Sequence, residues 1–329
     1  MIKHMTVRRP DTSEYSGIVD MLTEVRGRTH YNKSYYDANY LASGVHEIYA
    51  AYDKSDMLLG FMSISPWLSD NELCCLALLN IRPDYSGCNV AQKLFKETMD
   101  ILASRNVSAI KAQVITDHTA AQSIVEKHNF IPTGMLYGFS DGNNMKQKKD
   151  VRTSFAIYVR NISVDRVKKI HVHREMADFT ENVYENLGVK VNVANCGQLG
   201  KESHIEHFYN EHSNTLGIRV FVSGFSLSAL IEELHTHYGR RPAMTTMIYL
   251  YLDNPSAICG YEILCDEGYI FSGLDPLGST EKAVFYKASA NLGEIRMSQM
   301  LENFIEKNFP AEQTFENVRN IYSTAVSGG

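Results

Sequence analysis

The feature that most constrains this chain is the run Leu78-Leu79-Asn80-Ile81-Arg82-Pro83-Asp84-Tyr85-Ser86-Gly87-Cys88-Asn89-Val90-Ala91-Gln92-Lys93-Leu94. An apolar stretch ends at a proline, a tight turn holds one glycine, and a helical pattern begins near Asn89 with small residues in its first turn. Val90, Leu94, Phe95, Thr98 and Leu102 then mark one face of a long helix. A helix that starts directly off a buried strand points its first free N–H groups at the turn, with the helix dipole behind them. Small side chains there let an anion approach the backbone. The strand–turn–helix unit commits this part of the chain to an α/β fold.

The surrounding pattern agrees. Ile18, Met21, Leu22 and Val25 mark a helix before the unit. Glu47–Tyr52 and Met57–Ser65 read as strands joined by the turn Asp53-Lys54-Ser55-Asp56, and Glu72–Ile81 as a buried strand. Ala109–Ile115 is another strand, and Ala121, Ile124, Val125 and His128 line a third helix. A polar loop covers Ser140–Asp150, and the strand Thr153–Val159 follows. With 329 residues, two domains are expected, placed at 1–160 and 161–329.

Two internal echoes support a duplication. Val7 opens VRRPDTSEYSGIVDMLTEV and Val172 opens VHREMADFTENVYENLGV, 165 positions later, with Ile18 matching Val183 and Leu22 matching Leu187. Asn129–Gly134 echoes Gly268–Gly273.

Charge and hydropathy exclude several classes. The net charge is −6 and the Lys/Arg clusters are short, which argues against nucleic acid as a partner. The longest apolar run, Leu73–Leu79, is far below the roughly 18 residues of a membrane span. MIKHMTVRRPDTSEY holds no apolar stretch, so no signal peptide is visible and a cytoplasmic protein is expected. Cys74, Cys75, Cys88, Cys196, Cys259 and Cys265 form no CxxC pair and are expected to be reduced thiols.

The strand–loop–helix resembles motif A of the GNAT acyltransferase superfamily. Ile81-Arg82-Pro83 stands for its V-x-P, and Ser86-Gly87-Cys88-Asn89-Val90-Ala91 for its R-G-x-G-x-[GA] loop. Asp117–Phe130 resembles the superfamily's N-x-x-A-x-x-x-Y-x-x-x-G-F helix. Tyr31–Asp37, the T-x-H-x-x-x-Q of Thr116–Gln122, His173–Gly188 and Gly268–Pro276 are similar to a subgroup with two such modules in one chain. The resemblance implies two tandem α/β domains, each a mostly antiparallel twisted sheet with a splayed central strand pair flanked by helices. It further implies transfer of an acetyl or longer acyl group from acetyl-CoA or a longer acyl-CoA to an amine of a small molecule or peptide, with no metal. The thioester is expected against Leu79, Asn80 and Ile81. The pyrophosphate is expected on Ser86, Gly87, Cys88, Asn89, Val90 and Ala91, with Gln122 alongside. An acyl-carrier-protein donor and a non-catalytic acyl-CoA sensor are the alternatives.

Departures are plain. Ser86 replaces the usual Arg or Gln, Asn89 and Asn129 replace glycines, and Val125 stands where many members carry a tyrosine acid. The second half is degenerate: Ser223-Gly224-Phe225 joins a strand, Arg219–Val222, to a helix, Ser226–His237, and Phe225 is expected to crowd a pyrophosphate.

The reaction needs a base for the amine and a donor for the thioester oxyanion. Glu72 is a candidate base, with a solvated strand end as the plainer reading. His118 is a candidate base, with a helix N-terminal residue packed beside the cofactor as the plainer reading, and Asp117 beside it reads equally as a helix N-cap. Asn80 is a candidate for ordering a catalytic water, and Cys75 is expected to be a buried small hydrophobe. His204, His207 and His212 in SHIEHFYNEH read as a solvated helix rather than a metal site. His171 and His173 are expected to alternate on a strand. Tyr15, Tyr31, Tyr35, Tyr36 and Tyr40 form an aromatic patch, either ordinary packing or an acceptor wall.

Overall fold

The computed structural model describes residues 4–27, 33–67, 70–105, 107–141, 151–165, 168–211, 213–239, 244–278, 280–288 and 292–309. The first half runs β1 (Met5–Arg8), α1 (Tyr15–Arg26), α2 (Ala38–Ala42), β2 (Glu47–Asp53), β3 (Leu58–Trp67), β4 (Asp70–Ile81), α3 (Val90–Ala103), β5 (Ala109–Ile115), α4 (Ala120–Lys127), β6 (Ile131–Asp141) and β7 (Arg152–Asn161). The second runs β8 (Lys168–His171), α5 (Arg174–Asn186), β9 (Val191–Ala194), β10 (His204–Asn210), β11 (Thr215–Val222), α6 (Leu227–His237), β12 (Thr245–Tyr251), α7 (Ala257–Asp266), β13 (Ile270–Asp275), β14 (Lys282–Ala288) and α8 (Gln299–Asn308).

Twelve strands form one sheet in the order β1-β2-β3-β4-β5-β7-β6-β13-β14-β12-β11-β10, and β8 and β9 pair apart from it. The fold is mixed α/β with a mostly antiparallel sheet. Outward from the β6–β13 contact, each half meets the same sequence of pairings. These are antiparallel β6–β7 and β7–β5, parallel β5–β4, antiparallel β4–β3; then antiparallel β13–β14 and β14–β12, parallel β12–β11, antiparallel β11–β10. A helix follows each parallel strand: α3 and α4 in the first half, α6 and α7 in the second. Parallel neighbours need such crossovers.

The two halves meet where side chains are absent. The register pair joining β6 to β13 is Gly134 with Gly273. A Cβ on Gly273 would lie 2.2 Å from the Cα of Gly134, so only glycines allow this approach. These are the last residues of the two echoing segments. Beside them, buried Lys111 of β5 pairs with buried Asp275 of β13, and Lys282 Nζ lies 3.9 Å from the other Asp275 oxygen.

The helices bury the faces their spacing announces. Val90, Leu94, Phe95, Thr98, Met99 and Leu102 of α3 are buried against the sheet. Ile18, Met21 and Leu22 of α1 pack in a smaller core with Ile48, Ala50, Tyr52, Phe61 and Leu78. Their counterparts by offset do otherwise: Val183 of α5, and Leu187 at its end, join the large core with α7. The first echo therefore matches local structure without matching the packing.

Two further expectations change. SHIEHFYNEH is the edge strand β10 from His204 to Asn210, not a helix; His212 lies outside the described residues. Pairing along β11 overrides a weak helical pattern, and His204 and His207, three apart, fall on opposite faces of the strand. His173 is not on a strand: it is the N-cap of α5, its ring accepting from the Glu175 N–H. Tyr31 of the tyrosine patch lies outside the described residues, while Tyr35 is buried beside Tyr40 and His46.

Candidate functional site

The described sheet opens between β4 and β5. Their parallel ladder holds Leu73–Leu76 against Ala109–Ala112 and then stops, although β4 continues to Ile81 and β5 to Ile115. The β4 edge beyond Leu76 therefore lacks its neighbour's backbone partners, and a wedge opens between the strands.

The local cause is a bulge. Between the pairs Ser63–Ala77 and Phe61–Asn80, β4 carries two residues where β3 carries one. Leu78 sits there in the left-handed region, at φ 53°. A bulge bends and twists a strand, which turns the end of β4 away from β5. A branched leucine in that conformation is strained and needs support. Asn80 supplies it: its Nδ2 donates to the Leu78 carbonyl at 2.8 Å, while its Oδ1 accepts from Arg26 Nε at 2.6 Å. Asn80 is buried, and both ends of its amide are engaged.

The loop after β4 begins with Arg82, whose N–H donates to the Leu59 carbonyl. A short 3-10 turn, Pro83–Tyr85, follows, and Gly87 takes φ 77°. A Cβ built on Gly87 would meet nothing within 4 Å, so the space over it is open. Asn89 is also left-handed, at φ 62°, in the place of a family glycine; asparagine tolerates this conformation better than most residues. Its side chain does not cap α3. The first-turn N–H groups of Val90, Ala91 and Gln92 are thus left to an external acceptor. Ser86, Gly87 and Asn89 are exposed, and Cys88 and Ala91 half-buried, so the loop is accessible.

Because β4 and β5 are parallel, the turn into α4 emerges at the same end of the sheet as the loop into α3. It carries Asp117 and His118, with His118 Nε2 3.5 Å from Asp117 Oδ1; His118 is exposed and Asp117 half-buried.

Residues 16–130 match the acetyltransferase (GNAT) family. Over that stretch the chain is similar to the GNAT acetyltransferases. Solved structures similar to about half of the chain include a phosphinothricin acetyltransferase of Sinorhizobium meliloti in complex with acetyl-CoA, at 14% identity and TM-score 0.42, covering 50% of this chain and 90% of that one. A ribosomal-protein-S18-alanine N-acetyltransferase of Escherichia coli is 16% identical with TM-score 0.39, covering 49% and 96%. A mutant spermidine/spermine N-acetyltransferase of Vibrio cholerae is 14% identical with TM-score 0.40, covering 48% and 94%. No curated protein matches the sequence.

Around the wedge, Leu79, Asn80 and Ile81 lie on the diverging end of β4, and Ser86–Ala91 on the open loop. Glu72 lies in β4 before the wedge, and its side chain is outside the described residues. Gln122 is fully buried, and its amide bonds to backbone of the β5–α4 turn and of residues 296–298, not to the loop. Cys75 pairs in register with Lys111; burial pushes its thiol up to about 11, against the pull of Lys111. It is neutral at ordinary pH. Val125 is buried in the core. Among the described residues no cluster of three His, Cys, Asp or Glu side chains could hold a metal, and no helix is long and apolar enough to cross a membrane.

The corresponding place in the second half is shut. β11 and β12 stay paired from Thr215–Thr245 through Val220–Leu250, six pairs against four for β4 and β5. The chain itself packs against the turn before α6: the Gly224 N–H donates to Ser203 Oγ at 3.0 Å, the Ser203 N–H to the hydroxyl of the N-cap Ser226 at 3.2 Å, and the Gly200 N–H to the Ser223 carbonyl at 2.8 Å. A Cβ on Gly224 would lie 2.4 Å from the Glu202 carbonyl carbon. Phe225 of the same turn is 80% exposed. Sequence reasoning missed the bulge, the Arg26 contact and this packing; Gly200 and Gly224 were the available signals.

Proposed function

We propose that the chain is a tandem duplication whose first half, residues 1–160, transfers an acetyl or longer acyl group from a CoA thioester to an amine of a small molecule or peptide. The second half, residues 161–329, keeps the topology and binds no donor. The wedge at the β4 bulge beside the open α3 loop carries the reading.

The residues fit the donor. Pyrophosphate is held by N–H groups of the Gly87–Ala91 loop and the positive end of the α3 dipole. With Ser86 in place of Arg or Gln, backbone donors carry the phosphate contact. The pantetheine arm enters the wedge and takes the unpaired β4 backbone as a strand would. The thioester carbonyl lies at Leu79–Ile81, where a β4 N–H fixed by the bulge stabilises the developing oxyanion. Asn80 maintains that bulge through both ends of its amide.

The amine attacks as its neutral form, and a base removes its proton. His118, paired with Asp117 and exposed at the wedge mouth, is the base we favour. Release of the thiolate draws no acid from α4 at position 125, where Val125 packs in the core; a solvent proton serves.

That same valine favours a second reading, an acyl-CoA sensor without turnover. Release of free thiol from acetyl-CoA, followed across a panel of amines, separates the two. Amine-dependent release abolished by Gly87→Glu supports transfer. Saturable binding with no release from any amine supports the sensor.

A further inference from the structure

The second half reaches back onto the β5–α4 turn of the first, where one buried side chain gathers the contacts. From Leu292, which bridges in parallel to Arg152 at the start of β7, the chain runs as a strap to Ser298, the N-cap of α8. The Gly293 N–H donates to the Arg152 carbonyl at 2.8 Å, and the Arg296 N–H to the Thr116 carbonyl at 2.6 Å. Gln122 of α4 closes the junction. Its Nε2 donates to the Arg296 carbonyl at 2.8 Å and to the His118 carbonyl at 3.1 Å, with the Ile115 carbonyl at 3.5 Å. Its Oε1 accepts from the Ser298 N–H at 2.7 Å. Ser298 Oγ bonds Glu126, one turn along α4, which also accepts from Tyr158 at 2.8 Å.

This placement matters because the end of β5 lacks support on its wedge side. Beyond Ala112, β5 has no β4 neighbour and is held by β7 alone, through Ile115–Phe155 and the Thr116 N–H on the Ser154 carbonyl. The turn that follows carries Asp117 and His118. A buried amide with both ends used is a rigid fastener, since each bond lost would leave a buried polar group unpaired.

We propose that Gln122 is a positioning residue through which the C-terminal strap sets the β5–α4 turn of the donor site, so that the second half is required for turnover in the first. This rests on the transfer reaction proposed above.

Gln122→Leu removes all the bonds. Ser298→Pro removes only the strap's N–H and hydroxyl, at a residue whose φ of −68° proline adopts. In the full chain, each is expected to lower kcat at saturating acetyl-CoA at least tenfold, with KM for acetyl-CoA within threefold. Amide exchange at residues 116–118 should quicken at least tenfold. Ser298→Ala loses the helix cap and keeps the N–H; its kcat should stay within twofold of wild type while its Tm falls. A rise in KM at unchanged kcat would show that Gln122 touches the cofactor and overturn the proposal. Unchanged kcat and exchange in both variants, with only a lower Tm, would overturn it also. If the wild type neither binds nor turns over acetyl-CoA, the transfer reading falls, and the exchange measurement still decides whether the strap holds the turn.

Discussion

Removing Asp275 should cost far more than a surface ion pair would. Lys111 is 1% exposed and Asp275 5%, which places the pair in the regime where desolvation is large and partners must be matched. Exposed pairs contribute about 0–1 kcal/mol, whereas breaking a buried one costs about 3–5 kcal/mol. Asp275→Ala leaves two buried ammonium groups, Lys111 and Lys282, without their shared carboxylate, so a loss of about 4 kcal/mol is expected. The double variant Lys111→Met/Asp275→Leu should recover most of it, because apolar replacement of a buried pair is commonly neutral. Urea unfolding of the wild type, Lys111→Met, Asp275→Leu and the double variant measures the coupling. The pH dependence has a definite sign. Burial raises the Asp275 carboxyl, but Lys111 and Lys282 outweigh burial and hold it below the usual range. A lowered folded pKa contributes stability above the unfolded value near pH 4, lost as pH falls through the folded value. Asp275→Asn should lack that acid-side loss. A cost below about 1 kcal/mol for Asp275→Ala would refute the burial and pairing argued for the seam.

Three other outcomes follow from the same structure. Gly273→Ala should destabilise by about 2–4 kcal/mol, since its methyl meets backbone 2.2 Å away at φ 128°, and urea unfolding should show it. Asn80→Leu removes the bonds to Arg26 and to the Leu78 carbonyl and should lower kcat about tenfold with little change in acetyl-CoA affinity, read by steady-state kinetics and calorimetry. His46 is buried and held neutral by burial, so it lowers stability as pH falls from about 6.5, where the unfolded chain takes up the proton first. His46→Phe should flatten that slope in urea midpoints measured from pH 7 to 5.

The legible parts of the fold were those written in local pattern. Ala109–Ile115 reads as a strand from its residues and is one to the residue, and the helix after Gly87 begins one residue from its expected start. Glycine and asparagine positions were informative because φ is a local property: Gly87, Asn89 and Asn129 all take left-handed conformations. What failed depended on distant partners. The edge strand β10 gains its shape from β11, and nothing in SHIEHFYNEH announces that neighbour. The resemblance sets Gln122 beside the cofactor, and nothing local announces that its amide also bonds residues more than 170 positions later. The second half reads as degenerate from its turn Ser223-Gly224-Phe225, but nothing in that turn announces that Gly200–Ser203 packs against it. The bulge at Leu78 leaves no mark in an all-apolar run, since its cause is the count of residues on β3 opposite it.

The central claim is that one half of this chain holds a donor site and the other has closed its own. Titration calorimetry with acetyl-CoA, on the wild type and on Gly87→Glu, tests it most directly. The account predicts one acetyl-CoA per chain for the wild type and none for the variant, whose carboxylate would occupy the open space beside the α3 N-terminus. Two acetyl-CoA per chain, or binding undiminished by Gly87→Glu, would contradict it.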